Sequence, residues 1–283
     1  MAISFGPGGN SESFGKRKFP EELPDYLSPM GLNAYEIECG RGVRIAKKTY
    51  ELLPGIAADN NITLTLHTPY FISLSSENED TRLGSLKYIE ESAEAAHKLG
   101  AKKLVIHSGS CAKMTREKAL SLASDTLSRA QKMLDEKGLS DIILCPETMG
   151  KINQLGTLSE VIELCGTDER FLPCVDFGHL NARTLGGIKT KEDYAAMLDE
   201  IENKLGFERL KRFHVHFSRI MYTAGGEKAH LTFEDKEYGP QYEPLMELFY
   251  ERGLEPTVIC ESAGTQAEDA AEMKKYYEGL KKQ

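Results

Sequence analysis

The sequence predicts a single α/β domain, a closed parallel (β/α)8 TIM barrel spanning residues 1–283, on three observations. Short apolar runs alternate with longer amphipathic ones along the whole chain, with no linker, low-complexity stretch or repeat between them. A length of 283 residues suits an α/β barrel that forms one unit. The apolar runs also end, again and again, in a histidine or a carboxylate: His67, His107, Glu147, Asp176 with His179 close behind it, His214 or His216, and Glu261. In a parallel barrel the C-terminal ends of all strands meet at one mouth, so residues far apart in sequence converge there.

Taken in order, residues 2–5 read as a first strand, broken by the turn Gly6-Pro-Gly-Gly and followed by the basic cluster Lys16-Arg17-Lys18. Residues 34–38 alternate as a strand does, and residues 43–60 read as a helix kinked or ended near Pro54. A third strand covers 62–67. Leu83, Leu86, Ile89, Ala93, Ala96 and Leu99 then mark one apolar helical face, which Gly100 ends. Strand 103–107, helix 115–137 and strand 141–147 follow. Thr157-Leu-Ser-Glu160 is a capping box that opens a helix to about Cys165. The run from Phe171 leads to Asp176 and His179, with a glycine-rich loop after it. Residues 192–205 read as helix, 210–217 as strand seven, and 218–238 as a long polar loop, a length that usually carries function. Pro240 starts another helix, 256–261 is the last strand, and 266–280 closes the chain as an amphipathic helix.

The composition, 40% hydrophobic and 28% charged, is that of a globular protein, and no apolar run approaches the roughly 20 residues of a membrane span. The N-terminus lacks the basic start and apolar segment of a secretion signal, which places the chain in the cytoplasm. Six cysteines show no Cys-x-x-Cys pair, and Cys145, Cys174 and Cys260 lie in apolar runs, so reduced core thiols are expected. A net charge of −9 argues mildly against a nucleic-acid partner, although phosphate binding depends on local charge.

One strand-end histidine is more often a hydrogen-bonded barrel residue than a ligand. Five or six imidazoles and three carboxylates at one rim would repel and desolvate one another unless a cation offset them. Imidazole mixed with carboxylate favours zinc, manganese or iron over calcium, and the number of donors exceeds the four of one tetrahedral zinc. Of the seven histidines only His97 falls inside a predicted helix, beside Lys98, where the helix dipole accounts for it.

The segments His67-Thr-Pro-Tyr-Phe-Ile-Ser-Leu, Leu104-Val-Ile-His-Ser-Gly-Ser, Cys145-Pro-Glu-Thr, Val175-Asp-Phe-Gly-His, Val215-His-Phe-Ser and Cys260-Glu-Ser resemble, in order and spacing, the motifs of the endonuclease IV family of abasic-site DNA repair enzymes. That resemblance implies a TIM barrel with a trinuclear zinc site. It implies Glu147 bridging two ions, with His67 and His107 on one and Asp176, His216 and Glu261 on the other, and His179 and His230 on a third. His216 is preferred to His214 because Val-His-Phe-Ser keeps the family's spacing, although both point to the same side of the strand. The chain departs from the family where Asp-x-His is expected: Gly226-Glu-Lys-Ala-His230 puts Lys228 at the carboxylate position. Glu227 substitutes after a shift of one residue, or the Lys228 ammonium replaces the third cation.

By the same resemblance the activity is phosphodiester cleavage of double-stranded DNA on the 5′ side of an abasic site, with two or three zinc ions per chain. Clustered zinc lowers the pKa of bound water and clamps phosphate oxygens, with Glu261 orienting or deprotonating the nucleophile and Glu147 holding the ions. Tyr70 and Phe71 fall in the loop that inserts at the lesion. Arg41, Lys113, Arg183, Arg219 and Lys228 are candidate DNA contacts in loops on the mouth side, with Arg116, Lys151 and Lys189 near them. The rival reading is a sugar isomerase or epimerase of the xylose-isomerase-like barrels. It needs Glu147, Asp176, a strand-seven histidine and Glu261 around one manganese or magnesium ion. A non-catalytic metal- or DNA-binding module is the third. The oligomeric state is not legible.

Overall fold

A computed structural model describes residues 2–281; Met1, Lys282 and Gln283, which the predicted span includes, lie outside the described residues. The strands are β1 (Ser4–Pro7), β2 (Ala34–Glu38), β3 (Thr63–His67), β4 (Lys103–Ile106), β5 (Ile143–Pro146), β6 (Cys174–Asp176), β7 (His214–Phe217), β8 (Arg219–Thr223), β9 (Gly226–Leu231) and β10 (Thr257–Cys260). All but β8 and β9 pair in parallel, as two four-stranded sheets ordered β1-β10-β7-β6 and β2-β3-β4-β5. Parallel bridges between Gly8 and Glu36 and between Glu147 and Cys174 join the sheets at both seams. The Gly9 N–H donates to Glu36 O and the Thr148 N–H to Cys174 O, each at 3.0 Å. The barrel is closed, as the alternation of elements predicts.

The helices are α1 (Leu23–Leu27), α2 (Lys47–Asp59), α3 (Glu79–Leu99), α4 (Arg116–Glu136), α5 (Leu158–Cys165), α6 (Phe177–Arg183), α7 (Lys191–Leu205), α8 (Phe207–Lys211), α9 (Glu243–Glu251) and α10 (Gln266–Leu280). Their starts follow the capping chemistry of the sequence. Asn78 and Thr115 accept from the first turns of α3 and α4, and Thr157 with Glu160 forms the expected capping box on α5. The long helices bury one stripe each, Ile89, Ala93, Ala96 and Leu99 on α3 among them. α2 runs through Pro54 to Asp59 instead of ending there, held by its buried Thr49, Leu53 and Ala57.

Two expectations are corrected. Residues 207–211 form helix, so the strand predicted from Leu210 begins only at His214; Leu210 and Phe213 are both buried three residues apart, a helical spacing. The segment expected as a polar loop is largely an antiparallel hairpin, β8 with β9, turning at Ala224-Gly225. Ile220-Met-Tyr-Thr223 is a short run of strand-favouring residues ahead of that turn, a signal masked by the polarity of the rest.

Barrel interiors are usually filled by branched apolar side chains. Here Glu36, Thr65, His214 and His216 are fully buried inside, beside Val105, Cys145 and Cys174. Strand alternation explains which residues point in: on β7, His214 and His216 share the inner face and Val215 and Phe217 the outer.

Candidate metal centre

The mouth of the barrel holds a cavity of about 460 Å³ lined by His67, His107, Glu147, His179, Glu227, His230 and Glu261, with Tyr70 and Lys151 at its edge. Three groups of potential ligand atoms meet there, each group within 4.8 Å: His67, His107 and Glu147; Glu147, Asp176, His216 and Glu261; and His179, Glu227 and His230. Glu147, at the end of β5, belongs to the first two. Its Oε2 lies 3.3 Å from His67 Nε2 and 3.0 Å from His107 Nε2, and its Oε1 lies 3.0 Å from His216 Nδ1. His216 Nδ1 is also 3.3 Å from Glu261 Oε1.

Local structure aims these groups. Asp176 ends β6 and caps α6, its Oδ1 accepting the His179 N–H at 2.7 Å, so one short helix presents both side chains. Asp176 Oδ2 stays buried without a hydrogen bond. The hydroxyl of Thr148 accepts from the Asp176 N–H at 2.8 Å and holds the ends of β5 and β6 together. His67 Nδ1 donates to Thr68 O at 2.8 Å and His179 Nδ1 to Thr148 O at 3.0 Å. Each bond turns Nε2 toward neighbouring carboxylates, the arrangement a metal-binding imidazole requires.

The electrostatics say the same thing in protons. Burial alone would depress His67, but its hydrogen bond to Glu147 and the charges of Glu38 and Glu147 override it and hold the imidazole up at about 10. His179 is likewise raised to about 10, burial being outweighed by Asp176 and Glu147. Burial would raise Glu147, yet the charge on His216 and hydrogen bonds from His107, His179 and His216 keep it well below the ordinary carboxylate range. Glu261, with burial and the neighbouring Glu147 and Asp176 against its ionisation, is pushed up to about 8. Carboxylates and protonated imidazoles thus compensate one another where a divalent cation would serve both. An unbonded buried carboxylate oxygen and oriented Nε2 atoms in a mixed N/O donor set fit zinc, manganese or iron.

The sequence-predicted residues His67, His107, Glu147, Asp176, His179, His216, His230 and Glu261 are therefore brought together at one mouth. His214 sits a pleat deeper, its Nε2 2.9 Å from Glu36 and away from the cavity, with burial pushing it down to about 4. At the departure from the family pattern, Glu227 faces His179 Nε2 at 3.5 Å, and Lys228 points out to solvent. Glu227, not Lys228, faces the cavity, because on β9 alternate residues face opposite sides and His230 rejoins the inner side through the irregular pairing of the hairpin.

Of the predicted DNA contacts, Tyr70 is 58% exposed, its ring stacked on His107 with centroids 5.5 Å apart. Phe71 is exposed too, edge-on to Tyr88, and Arg41 and Lys113 are at the surface. Two assignments are corrected. Arg219 is only 5% exposed, donating to Phe233 O at 2.8 Å and Gln241 Oε1 at 2.6 Å. Arg183 spends its guanidinium on four backbone carbonyls of residues 149–154. Both terminal nitrogens of each guanidinium are engaged inside the protein, and the remaining Arg219 Nε is buried, so neither offers a phosphate an exposed fork.

Sequence reasoning missed Glu36 and Glu38. Glu36 Oε2 accepts from His214 Nε2 at 2.9 Å and Thr65 Oγ1 at 2.7 Å, and its Oε1 lies 2.8 Å from His216 Nε2 as an ion pair, so that it backs the candidate ligand His216 from behind. Glu38 stands at the rim, 3.4 Å from the Tyr70 hydroxyl. The signal was present: in a strand that alternates, Ala34, Glu36 and Glu38 share one face, and the inner face of a barrel strand is an unusual place for two carboxylates.

Comparison with known proteins gives the family. An uncharacterised protein of Methanocaldococcus jannaschii is 31% identical over 254 residues, 90% of each chain. A probable endonuclease 4 of Methanosphaera stadtmanae is 31% identical over 158 residues, so that the match spans about half of either protein, 54% of each. Among solved structures, a D-tagatose 3-epimerase-like protein superposes with a TM-score of 0.74 at 20% identity, covering 98% of both chains. Endonuclease IV from Thermus thermophilus does so with a TM-score of 0.62 at 18% identity, over 92% of this chain and 94% of that one. These two likenesses speak for the fold alone. The xylose isomerase-like TIM barrel family, by its sequence profile, matches residues 24–282, and the chain belongs to that family.

Proposed function

We propose that the protein is a zinc-dependent phosphodiesterase of the endonuclease IV kind, cleaving DNA 5′ to abasic sites in base excision repair. The observation that carries this reading is the third group, His179, Glu227 and His230. A sugar isomerase or epimerase needs one cation on Glu147, Asp176, His216 and Glu261 and has no use for further donors at His67, His107, His179, Glu227 and His230. His67 and His107 would hold one ion with Glu147, and Asp176, His216 and Glu261 a second with the same carboxylate. His179, Glu227 and His230 would hold a third.

Bound there, such ions supply Lewis-acid activation of water and neutralise charge on a phosphodiester. The chain's own groups do the rest. Glu147 fixes the spacing between the first two groups, and Glu261, lining the cavity, is placed to take the proton of an attacking water. Tyr70 offers an exposed ring over the mouth on which a base or sugar can stack. Lys151 at the cavity edge and the exposed Arg41 and Lys113 are the cations left for phosphates. No helix among the described residues is long and apolar enough to cross a membrane. The six cysteines are all buried and unpaired, which supports a reducing, cytoplasmic setting.

Elemental analysis of protein purified without chelator, followed by incubation with an abasic-site duplex, tests the proposal. Two or three zinc ions per chain and a nick that leaves a 3′-hydroxyl support it. One manganese or magnesium ion, no nick, and epimerisation of a ketose would establish the sugar reading instead. Bound zinc with turnover of neither substrate would leave a non-catalytic metal- or DNA-binding module.

A further inference from the structure

The hairpin that carries Glu227 and His230 leaves the barrel between β7 and α9, and a carboxylate near a hairpin turn is poorly placed to hold a fixed position unless something grips the turn. What grips it is the loop after β5. Ile152 N–H donates to Gly225 O at 3.1 Å and Glu227 N–H to Gly150 O at 3.1 Å, and Lys151 forms an antiparallel bridge with Gly226. The two backbones interleave without room for a side chain. A Cβ on Gly226, whose φ is +87°, would lie 2.3 Å from Gly150 O; one on Gly150 would lie 2.6 Å from Glu227 Cβ and 2.9 Å from His179 Cδ2.

The far side of the loop is tied to the segment after β4, Cys111 N–H donating to Asn153 O at 2.9 Å and Leu155 N–H to Gly109 O at 3.0 Å, and Arg183 braces the stretch that faces the hairpin. From the last turn of α6, the guanidinium donates to Met149 O at 2.7 Å and Lys151 O at 3.0 Å through Nη1, and to Ile152 O at 3.0 Å and Gln154 O at 2.8 Å through Nη2. Arg116, paired with Glu160, adds bonds to the last two of those carbonyls from the outer side. A planar fork with several fixed donors suits several converging carbonyls, which a lysine cannot match. Arg183 lies one helical turn beyond His179, so the same short helix presents one member of the third group and, through the loop, fixes the hairpin that bears the other two.

We propose that Arg183 is a positioning residue for the third group: it sets where Glu227 and His230 stand relative to His179 without touching any of them. The inference rests on the reading of His179, Glu227 and His230 as a cation site, and it assigns to Arg183 a task quite unlike the phosphate contact expected of a loop arginine.

Zinc equivalents bound by the full chain, titrated by equilibrium dialysis, test it on Arg183→Met, with melting temperature and amide hydrogen exchange of residues 226–231 recorded on the same samples. The expected result is a third equivalent weakened about tenfold or more, the range for loss of a group that orients a ligand, with the first two unchanged and faster exchange in the hairpin. A purely structural role would instead lower the melting temperature and loosen all three equivalents together, and that outcome, or a third equivalent bound as tightly as in the wild type, overturns the proposal. A wild type that takes only two ions refutes the cation reading of the third group. The lock is then judged by exchange alone, and equal exchange in the two proteins overturns it. If Arg183→Met does not fold, Arg183→Lys, which keeps the charge and reaches fewer carbonyls, carries the same readouts.

Discussion

Replacing Glu36 by glutamine tests whether the barrel interior is organised around that one carboxylate. Glu36 is fully buried, accepts from His214 Nε2 at 2.9 Å and faces His216 Nε2 at 2.8 Å as an ion pair. Glutamine keeps the shape, but one oxygen becomes an N–H₂ group pointed at an imidazole N–H, and the charge opposite His216 is gone. Removing one partner of a buried charge pair costs about 3–5 kcal/mol, and for a chain of this length that corresponds to a melting temperature lower by about 5–8 °C. Burial would raise Glu36, yet the charges of His216 and His214 hold it well below the usual range, so its contribution is present above the unfolded value of about 4.3 and fades as pH falls through the folded one. His216 runs the other way. Burial would lower it, but Cys174, Glu261 and Glu36 hold it well above its ordinary value, so its share is complete below about 6.5 and is lost as pH climbs through the folded pKa. The gap between wild type and Glu36→Gln should therefore be widest between about pH 4.3 and 6.5 and narrow on either side. Calorimetry of chelator-treated protein across pH 3–9 measures it. A melting temperature within about 2 °C of wild type at pH 6, or a gap indifferent to acid, refutes the reasoning.

Three further outcomes follow from the same geometry. Because His67 and His179 are held up at about 10, zinc binding by the metal-free protein near pH 7.5 must expel about two protons or more, which titration calorimetry in buffers of different ionisation enthalpy reads directly; a zero slope would be fatal. Arg219→Met should lower stability and leave the salt dependence of DNA binding unchanged, whereas Lys151→Ala at the cavity edge should reduce the salt slope by about one, and the reverse pattern would return Arg219 to the DNA interface. In Gly40→Ala the new Cβ would fall 2.4 Å from Tyr70 Cε2 and push the exposed ring off His107, so kcat/KM should drop about 10–100-fold with little change in melting temperature; full activity would deny the ring a role.

The fold and most of the mouth are legible in the chain because barrel topology converts a strand-end position into a shared location. His67, His107, Glu147 and Glu261 need no more than the ends of their apolar runs to be placed together. Asp176 and His179 needed one step more, since the side chain that ends β6 also begins α6. What escaped was whatever depends on register or on longer contacts. Lys228 and Glu227 differ by one place on a hairpin, and which of them turns inward is set by its irregular pairing, not by composition. Arg183 and Arg219 look alike as loop cations in a sequence, and only the carbonyls around each guanidinium separate an internal brace from a surface charge. Glu36 was legible in principle from the inward face of β2, but attention to strand ends passed over a residue in mid-strand.

Glu36 also ties the site to the closure of the fold. Its backbone lies at the seam where β2 meets β1, accepting the Gly9 N–H at 3.0 Å and bridging Gly8, and its side chain crosses the interior to β7. β7 in turn pairs with β6 on one side and β10 on the other, the strands whose ends carry Asp176 and lead into Glu261. A carboxylate that spans the barrel in this way holds His216 at a fixed angle only while the seam is shut, so loosening of the β1–β2 edge and misorientation of that candidate ligand are one event. The polar interior is then the means by which a barrel of eight short strands keeps its mouth in register.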